Sequence, residues 1–223
     1  MVQRNSWRSS NETMRVAILS ESSADEAAIR ILLEGILGRQ TQEIKSLPLR
    51  SRGWPSVIRV LPTVLKFLHY RTDAEALVVI ADSDDSSIHQ GTHDEADGAD
   101  SQCRLCQLRG VVSVETARLR PVAGRNQIKT AIGLAVPAIE AWYLCGLDPH
   151  INEVAWTRTL QSERITYTRR TLKKAVYGTE RPTIGIEIDH ATKAATRLAN
   201  DLLLLEQLFP NGFRAFVRDV HNW

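Results

Sequence analysis

Apolar residues recur along this chain in two rhythms, and the alternation between them outlines the fold. The runs "MRVAILS" from Met14 and "ALVVIA" from Ala76 are short and continuous, the pattern of strands buried on both faces. In "SADEAAIRILLEGILG" the spacing lengthens: Ile29, Leu32, Leu33 and Ile36 share one helical face. Ser23 is the predicted N-cap, with Glu26 completing a capping box, and Gly38 is the predicted stop. "EIKSLPL" reads as a second strand. "WPSVIRVLPTVLKFLHY" is apolar at helical spacing, and Pro62 is expected to kink or divide it. After the strand from Ala76 comes a loop rich in Gly and Asp, running to about residue 100. A helix over "QCRLCQLRGVVSVETARL" then ends at Pro121. "QIKTAIGLAV" is a further strand, and "PAIEAWYLCGL" a helix with Pro137 at its first position and Gly146 near its end. Asp189 is placed as the cap of a last long helix striped by Ala191, Ala194, Leu198, Leu202 and Leu205.

Strands alternating with helices predict an α/β fold with a mostly parallel central sheet flanked by helices. Residues 1–13 read as a disordered leader and 14–148 as the main domain. A basic, α-rich C-terminal extension, 149–223, begins where the composition shifts. No internal repeat or low-complexity tract interrupts this order.

Composition is ordinary for a globular chain: 223 residues, 43% hydrophobic and 24% charged, enough for a sizeable core. No apolar run approaches the ~20 residues that span a bilayer, and the polar start lacks the apolar segment of a signal peptide. Three cysteines do not make a disulfide framework, so a reducing cytoplasm is the expected location. The net charge of +2 conceals an asymmetry. Residues 82–100 carry Asp82, Asp84, Asp85, Asp94, Glu95, Asp97 and Asp100 with no Lys or Arg. Residues 156–183 carry Arg158, Arg164, Arg169, Arg170, Lys173, Lys174 and Arg181 against Glu163 and Glu180. Such a division suits a chain that holds cations and polyanions together, and suits two solvated faces equally well. P-loop, dinucleotide-binding, nucleophile-elbow and His-Glu-x-x-His motifs are all missing, which removes the main support for NTPase, oxidoreductase, α/β-hydrolase and zincin readings.

Carboxylates gather in three places where a parallel sheet would collect them. "LSESSADE" puts Glu21 just past the first strand and Asp25 one turn on. "IADSDD" puts Asp82 and Asp84 at the end of a central strand, and "AVPAIEAW" puts Glu140 in the turn after another. The carboxyl ends of strands line one crevice in open α/β sheets, so these groups can converge across more than a hundred residues. Carboxylates brought together repel, and raised pKa values or a bound cation must resolve the conflict. Hard oxygen ligands select Mg²⁺ or Mn²⁺.

Taken together, "SESSADE", "IADSDD" and "VPAIEAWYL" resemble the Toprim fold, the catalytic module of topoisomerases, primases, OLD-type nucleases and small stand-alone Toprim-like proteins. The resemblance covers about residues 14–146. It implies Glu21 as general acid/base or metal ligand and Asp82 and Asp84 as the main catalytic and metal-binding carboxylates. Asp25 and Glu140 would serve a second metal or orient the first. The family's usual glycine after the first glutamate is Ser22 here. The implied activity is Mg²⁺- or Mn²⁺-dependent cleavage of phosphodiesters in DNA or RNA, with an ATPase or other partner subunit and an anti-phage defence or toxin system as context. Two rivals stand beside it: a non-catalytic subunit that binds nucleic acid or a partner, and nucleotidyl transfer.

The basic segment interleaves Trp156, Tyr167 and Tyr177, a composition suited to phosphates and unpaired bases, with Arg170, Lys173 and Lys174 as the candidate nucleic-acid contacts. Arg125 and Lys129 are expected near the same site. Finally, His89, His93, Cys103 and Cys106 are the ligand types of a zinc site with the right Cys-x-x-Cys spacing. Without a second Cys-x-x-Cys pair, partly buried thiols and exposed histidines are the favoured expectation.

Overall fold

The computed structural model describes residues 13–44, 53–162 and 167–223. Among them four strands form one all-parallel sheet: β1 (Met14–Leu19), β2 (Thr41–Glu43), β3 (Ala76–Asp82) and β4 (Lys129–Ala135), in the order β2-β1-β3-β4. The coarse α/β expectation is therefore met. The order reverses between β1 and β3, the switch point where a crevice opens beyond the carboxyl ends of the strands.

Both faces of the sheet are covered, which is why β1 and β3 read as unbroken apolar runs. Val16, Ile18, Ala76, Val78 and Ile80 face one core layer, and Ala17, Leu19, Leu77, Val79 and Ala81 face the other. The first layer is closed by α1 (Ser23–Leu37) and by two helices from the C-terminal segment, α7 (Ile184–Leu198) and α9 (Phe213–His221). The second is closed by α2 (Trp54–Arg71) and α3 (Arg104–Arg118). The intervening helices are α4 (Ile139–Tyr143), α5 (Glu153–Ser162), α6 (Arg169–Tyr177) and α8 (Leu202–Leu208). The segment expected as an extension thus supplies Ala191, Leu198, Phe213 and Phe216 to the same core as β1 and β3.

Several local expectations shift. The N-cap of α1 is Ser22, whose hydroxyl accepts from the Asp25 N–H, and not Ser23; Gly38 closes the helix at φ 64° as expected. The second strand covers Thr41–Glu43, and most of "EIKSLPL" lies outside the described residues, as does nearly all of the leader. Pro62 does not divide α2: burial of Leu61, Val64, Leu65 and Leu68 holds the helix together across the missing N–H. Helix α4 begins at Ile139 with Ala138 as N-cap, so Pro137 precedes the helix and does not open it. Asp189 lies inside α7, which Thr183 caps; the long stripe breaks after Leu198, and Asp201 caps the next helix. A stripe of apolar residues records the shared buried face and passes over a turn that keeps the same side inward.

Candidate functional site

Glu21 follows β1, Asp82 closes β3 and Glu140 follows β4, and the structure brings them near one another together with Asp25. The Glu21 carboxylate accepts the backbone N–H of Asp82 at 3.1 Å, tying the end of β1 to the end of β3 across the switch point. Asp82 in turn accepts the N–H of Ile139 at 3.0 Å, anchoring the first turn of α4 and with it Glu140. Past the end of β3 the ladder continues, with Ser83 N–H donating to Ala135 and Asp84 N–H to Pro137. These bonds hold Asp84 at φ 47°, a left-handed conformation that Asp tolerates better than most residues. Ser22, where the resembled family has glycine, spends its side chain on capping α1 and so aims the first turn, with Asp25, at the cluster.

Burial and mutual repulsion dominate the electrostatics. Burial, and after it the charges of Glu21 and Glu140, drives the Asp82 carboxyl well above the ordinary range, against the pull of Arg169. Asp25 is pushed up to about 7, first by burial and then by Glu140 and Glu21, although the Ser22 hydroxyl favours its charged form. Burial also raises Glu21 and Glu140.

Three cations answer these acids, and two of them escaped the sequence reading. Arg169, the first residue of α6, forms a fork across Asp82 and Asp84, with 2.6 Å to Asp82. Arg104, the first residue of α3, donates to the Asp82 carbonyl and the Asp84 carboxylate, both at 2.7 Å, and its guanidinium stacks 5.0 Å from the Trp54 ring. Lys173, one turn beyond Arg169, reaches Glu140 at 3.9 Å. Arg170 and Lys174 project from the exposed side of α6, where Arg170 is paired with Glu180. Burial of Leu172 and Tyr177 decides this rotation: the site-facing pair is 169/173, an i, i+4 spacing. That spacing was present in "RRTLKK", but which of its two basic faces turns inward depends on what the helix packs against.

Trp54, Asp84, Arg104, Gln107, Trp156 and Arg169 are among the residues that line a cleft of about 1130 Å³. Trp156, Tyr167 and Tyr177 are buried, so the expected row of free stacking rings is replaced by core aromatics; Trp156 packs against Tyr167 at 5.5 Å. Arg125 and Lys129 lie at the opposite, amino-terminal edge of the sheet, Lys129 pairing with Ala76 while Asp82 pairs with Ala135.

Among the described residues, the ligand atoms placed close enough together to hold an ion are those of His89, His93, Cys103 and Cys106; the carboxylate set as placed is not one of these groups, though its donors are of the hard-oxygen kind. All its ligand atoms are carboxylate oxygens, and one of them, Glu140 Oε2, is buried without a hydrogen-bond partner. Five carboxylates (Glu21, Asp25, Asp82, Asp84, Glu140) face three cations (Arg104, Arg169, Lys173), a deficit of two charges when all are ionised.

A second cluster lies beside the first. His89, His93, Cys103 and Cys106 converge with every ligand atom within 4.8 Å of the others, so the four can hold a metal ion. His89 is buried, against the expectation of exposed histidines. Comparison with known proteins returned no matching family model, no matching curated protein and no matching solved structure.

Proposed function

We propose that the chain is a Toprim-like, Mg²⁺- or Mn²⁺-dependent nuclease that cleaves phosphodiesters in DNA or RNA. The observation that carries this reading is the gathering of Glu21, Asp25, Asp82 and Glu140 at the carboxyl ends of β1, β3 and β4, joined through Arg104 and Arg169 to Asp84, which with those two arginines lines the neighbouring cleft. Glu21, Asp82, Asp84 and Glu140 would hold the metal, with Asp25 orienting them through the first turn of α1. The bound ion would polarise a phosphoryl oxygen and supply a water nucleophile near neutral pH. Alternatively, Glu21 left outside the ion's ligand set would serve as general acid/base, a role its raised pKa suits. Arg104, fixed by Trp54 and Asp84, presents a rigid donor to a phosphate oxygen. Arg169 is 42% exposed and can turn from Asp82 and Asp84 to a phosphate when substrate enters. Arg170 and Lys174 extend the positive surface along α6 for the flanking backbone. The defence or toxin setting and an ATPase partner belong to the same proposal through the family resemblance.

One observation favours the rival reading of a non-catalytic nucleic-acid-binding or partner-binding subunit. Arg169 and Arg104 already engage both oxygens of Asp84 and the outer oxygen of Asp82, so these acids have counter-ions without a metal.

Cleavage of single- and double-stranded DNA and structured RNA, with Mg²⁺ and then Mn²⁺, separates the two. The nuclease reading expects Glu21→Gln to lower cleavage by about 10²–10⁴-fold while leaving binding intact. Arg169→Ala should weaken binding and reduce the salt slope on duplex DNA by close to one unit. Binding without cleavage of any substrate, with or without partner subunits, would establish the rival.

A further inference from the structure

We infer that His89, His93, Cys103 and Cys106 form a structural zinc site that staples the acidic loop after β3 to the start of α3. The inference is independent of the nuclease proposal. His89 Nδ1 lies 3.7 Å from Cys103 Sγ and 3.6 Å from Cys106 Sγ, and His93 Nδ1 lies 3.7 Å from Cys106 Sγ. Zinc bonds of about 2.3 Å to sulfur and about 2.05 Å to nitrogen, set at tetrahedral angles, place N and S about 3.6 Å apart. These three N···S separations match that value, and all four ligand atoms lie within 4.8 Å of one another.

Two thiols and two imidazoles could pair by hydrogen bonds, Cys103 with His89 and Cys106 with His93, but that pairing leaves the 3.6 Å approach of Cys106 to His89 without a role. A neutral imidazole offers one lone pair at Nδ1, yet two thiols approach the same Nδ1 of His89. A zinc ion satisfies all four groups at once. Both thiols lose their protons on binding, and two thiolates with two neutral imidazoles leave the buried centre without net charge.

The surroundings complete the pattern. Asp94 approaches Nε2 of His89 at 3.2 Å, the carboxylate partner that fixes a ligating histidine with Nδ1 toward the metal. Asp94 is itself held by Arg109 at 2.6 Å and by Arg218 of α9 at 3.0 Å; Arg109 also lies 3.4 Å from His89 Nε2. Cys103 occupies the N-cap of α3 and Cys106 its first turn, so one helix start presents both sulfurs.

Position gives the site its purpose. His89 and His93 come from the loop that leaves Asp84 and Asp85, and Cys103 immediately precedes Arg104. Closing the ligands around zinc fixes the helix start from which Arg104 reaches Asp82 and Asp84.

Protein purified without chelators should contain about one zinc per chain by elemental analysis. Cobalt substitution should give the visible absorption of a tetrahedral, thiolate-ligated ion. Cys103→Ser with Cys106→Ser should abolish both, whereas Asp82→Asn with Asp84→Asn should abolish neither. Asp94→Ala should weaken zinc affinity about 10- to 100-fold in competition with a chelating dye. Should the cysteine variant fail to fold, the zinc content and cobalt spectrum of the unmodified protein decide the matter. Unmodified protein that lacks zinc and takes up neither Zn²⁺ nor Co²⁺ would overturn the inference, as would zinc retained in a folded cysteine variant or an affinity unchanged by Asp94→Ala.

Discussion

Individual side chains in this protein divide by whether their role is local or depends on the far end of the chain. Asp82 and Asp84 are legible from "IADSDD" alone, because an apolar strand ending in acids must aim them past the sheet. Arg169 and Arg104 are not, since each is one basic residue among several until the helix carrying it is docked. Glu153 is a further buried acid that no motif marks. It accepts the N–H groups of Asn211 and Gly212 at 2.8 and 2.7 Å, and burial pushes its pKa up to about 7 despite them. A carboxyl raised from 4.5 to about 7 on folding binds more protons folded than unfolded between those values. Its contribution is therefore complete below about pH 4.5 and is lost as pH rises to 7, by up to about 3 kcal/mol. Glu153→Gln should match the unmodified protein near pH 5 and exceed it in stability at pH 8. Thermal denaturation at the two pH values checks this, and a variant less stable at pH 8 would contradict it.

At the scale of elements, strands and helices followed from hydrophobic spacing, while their ends followed from contacts the spacing does not encode. Ser22 displaced Ser23 as the cap of α1, and α2 ran through Pro62, because buried side chains outweigh a local preference. Helix α9 shows the same limit. It lies directly on β4, so that a Cβ on Gly133 would sit 2.8 Å from Phe216 Cβ and 2.6 Å from the end of Ile80. A Cβ on Gly212, in the turn that Glu153 holds, would meet the Leu134 carbonyl oxygen at 1.9 Å. That atom is strand backbone near the end of β4 and cannot swing aside as a flexible side chain can. Gly212→Ala should therefore destabilise by at least the upper part of the usual overpacking range, about 3 kcal/mol. Gly110→Ala, inside α3 with open space around it, should instead stabilise by about 0.5–1 kcal/mol. Chemical denaturation of the two variants tests the contrast; equal effects would show that α9 does not press on β4 as described.

For the molecule as a whole, the parallel sheet and the gathering of Glu21, Asp82 and Glu140 at one edge were legible because strand order and sequence motif agree. The packing of residues 149–223 was not: a basic composition drew attention to their surface, while Phe213, Phe216, Ala191 and Leu198 quietly complete the core. That packing also delivers Arg169 to the carboxylates, so the C-terminal segment covers one face of the sheet and furnishes a wall of the cleft. We propose that these carboxylates form a divalent-metal centre and are not merely an arginine-bridged cluster. Crystals soaked in Mn²⁺ and measured at its absorption edge test it most directly. The expected result is an anomalous peak within coordination distance of Asp82 and Glu140, with Arg169 released from its fork. Strong anomalous signal elsewhere, or none, with Arg169 still bridging Asp82 and Asp84, would contradict the metal centre.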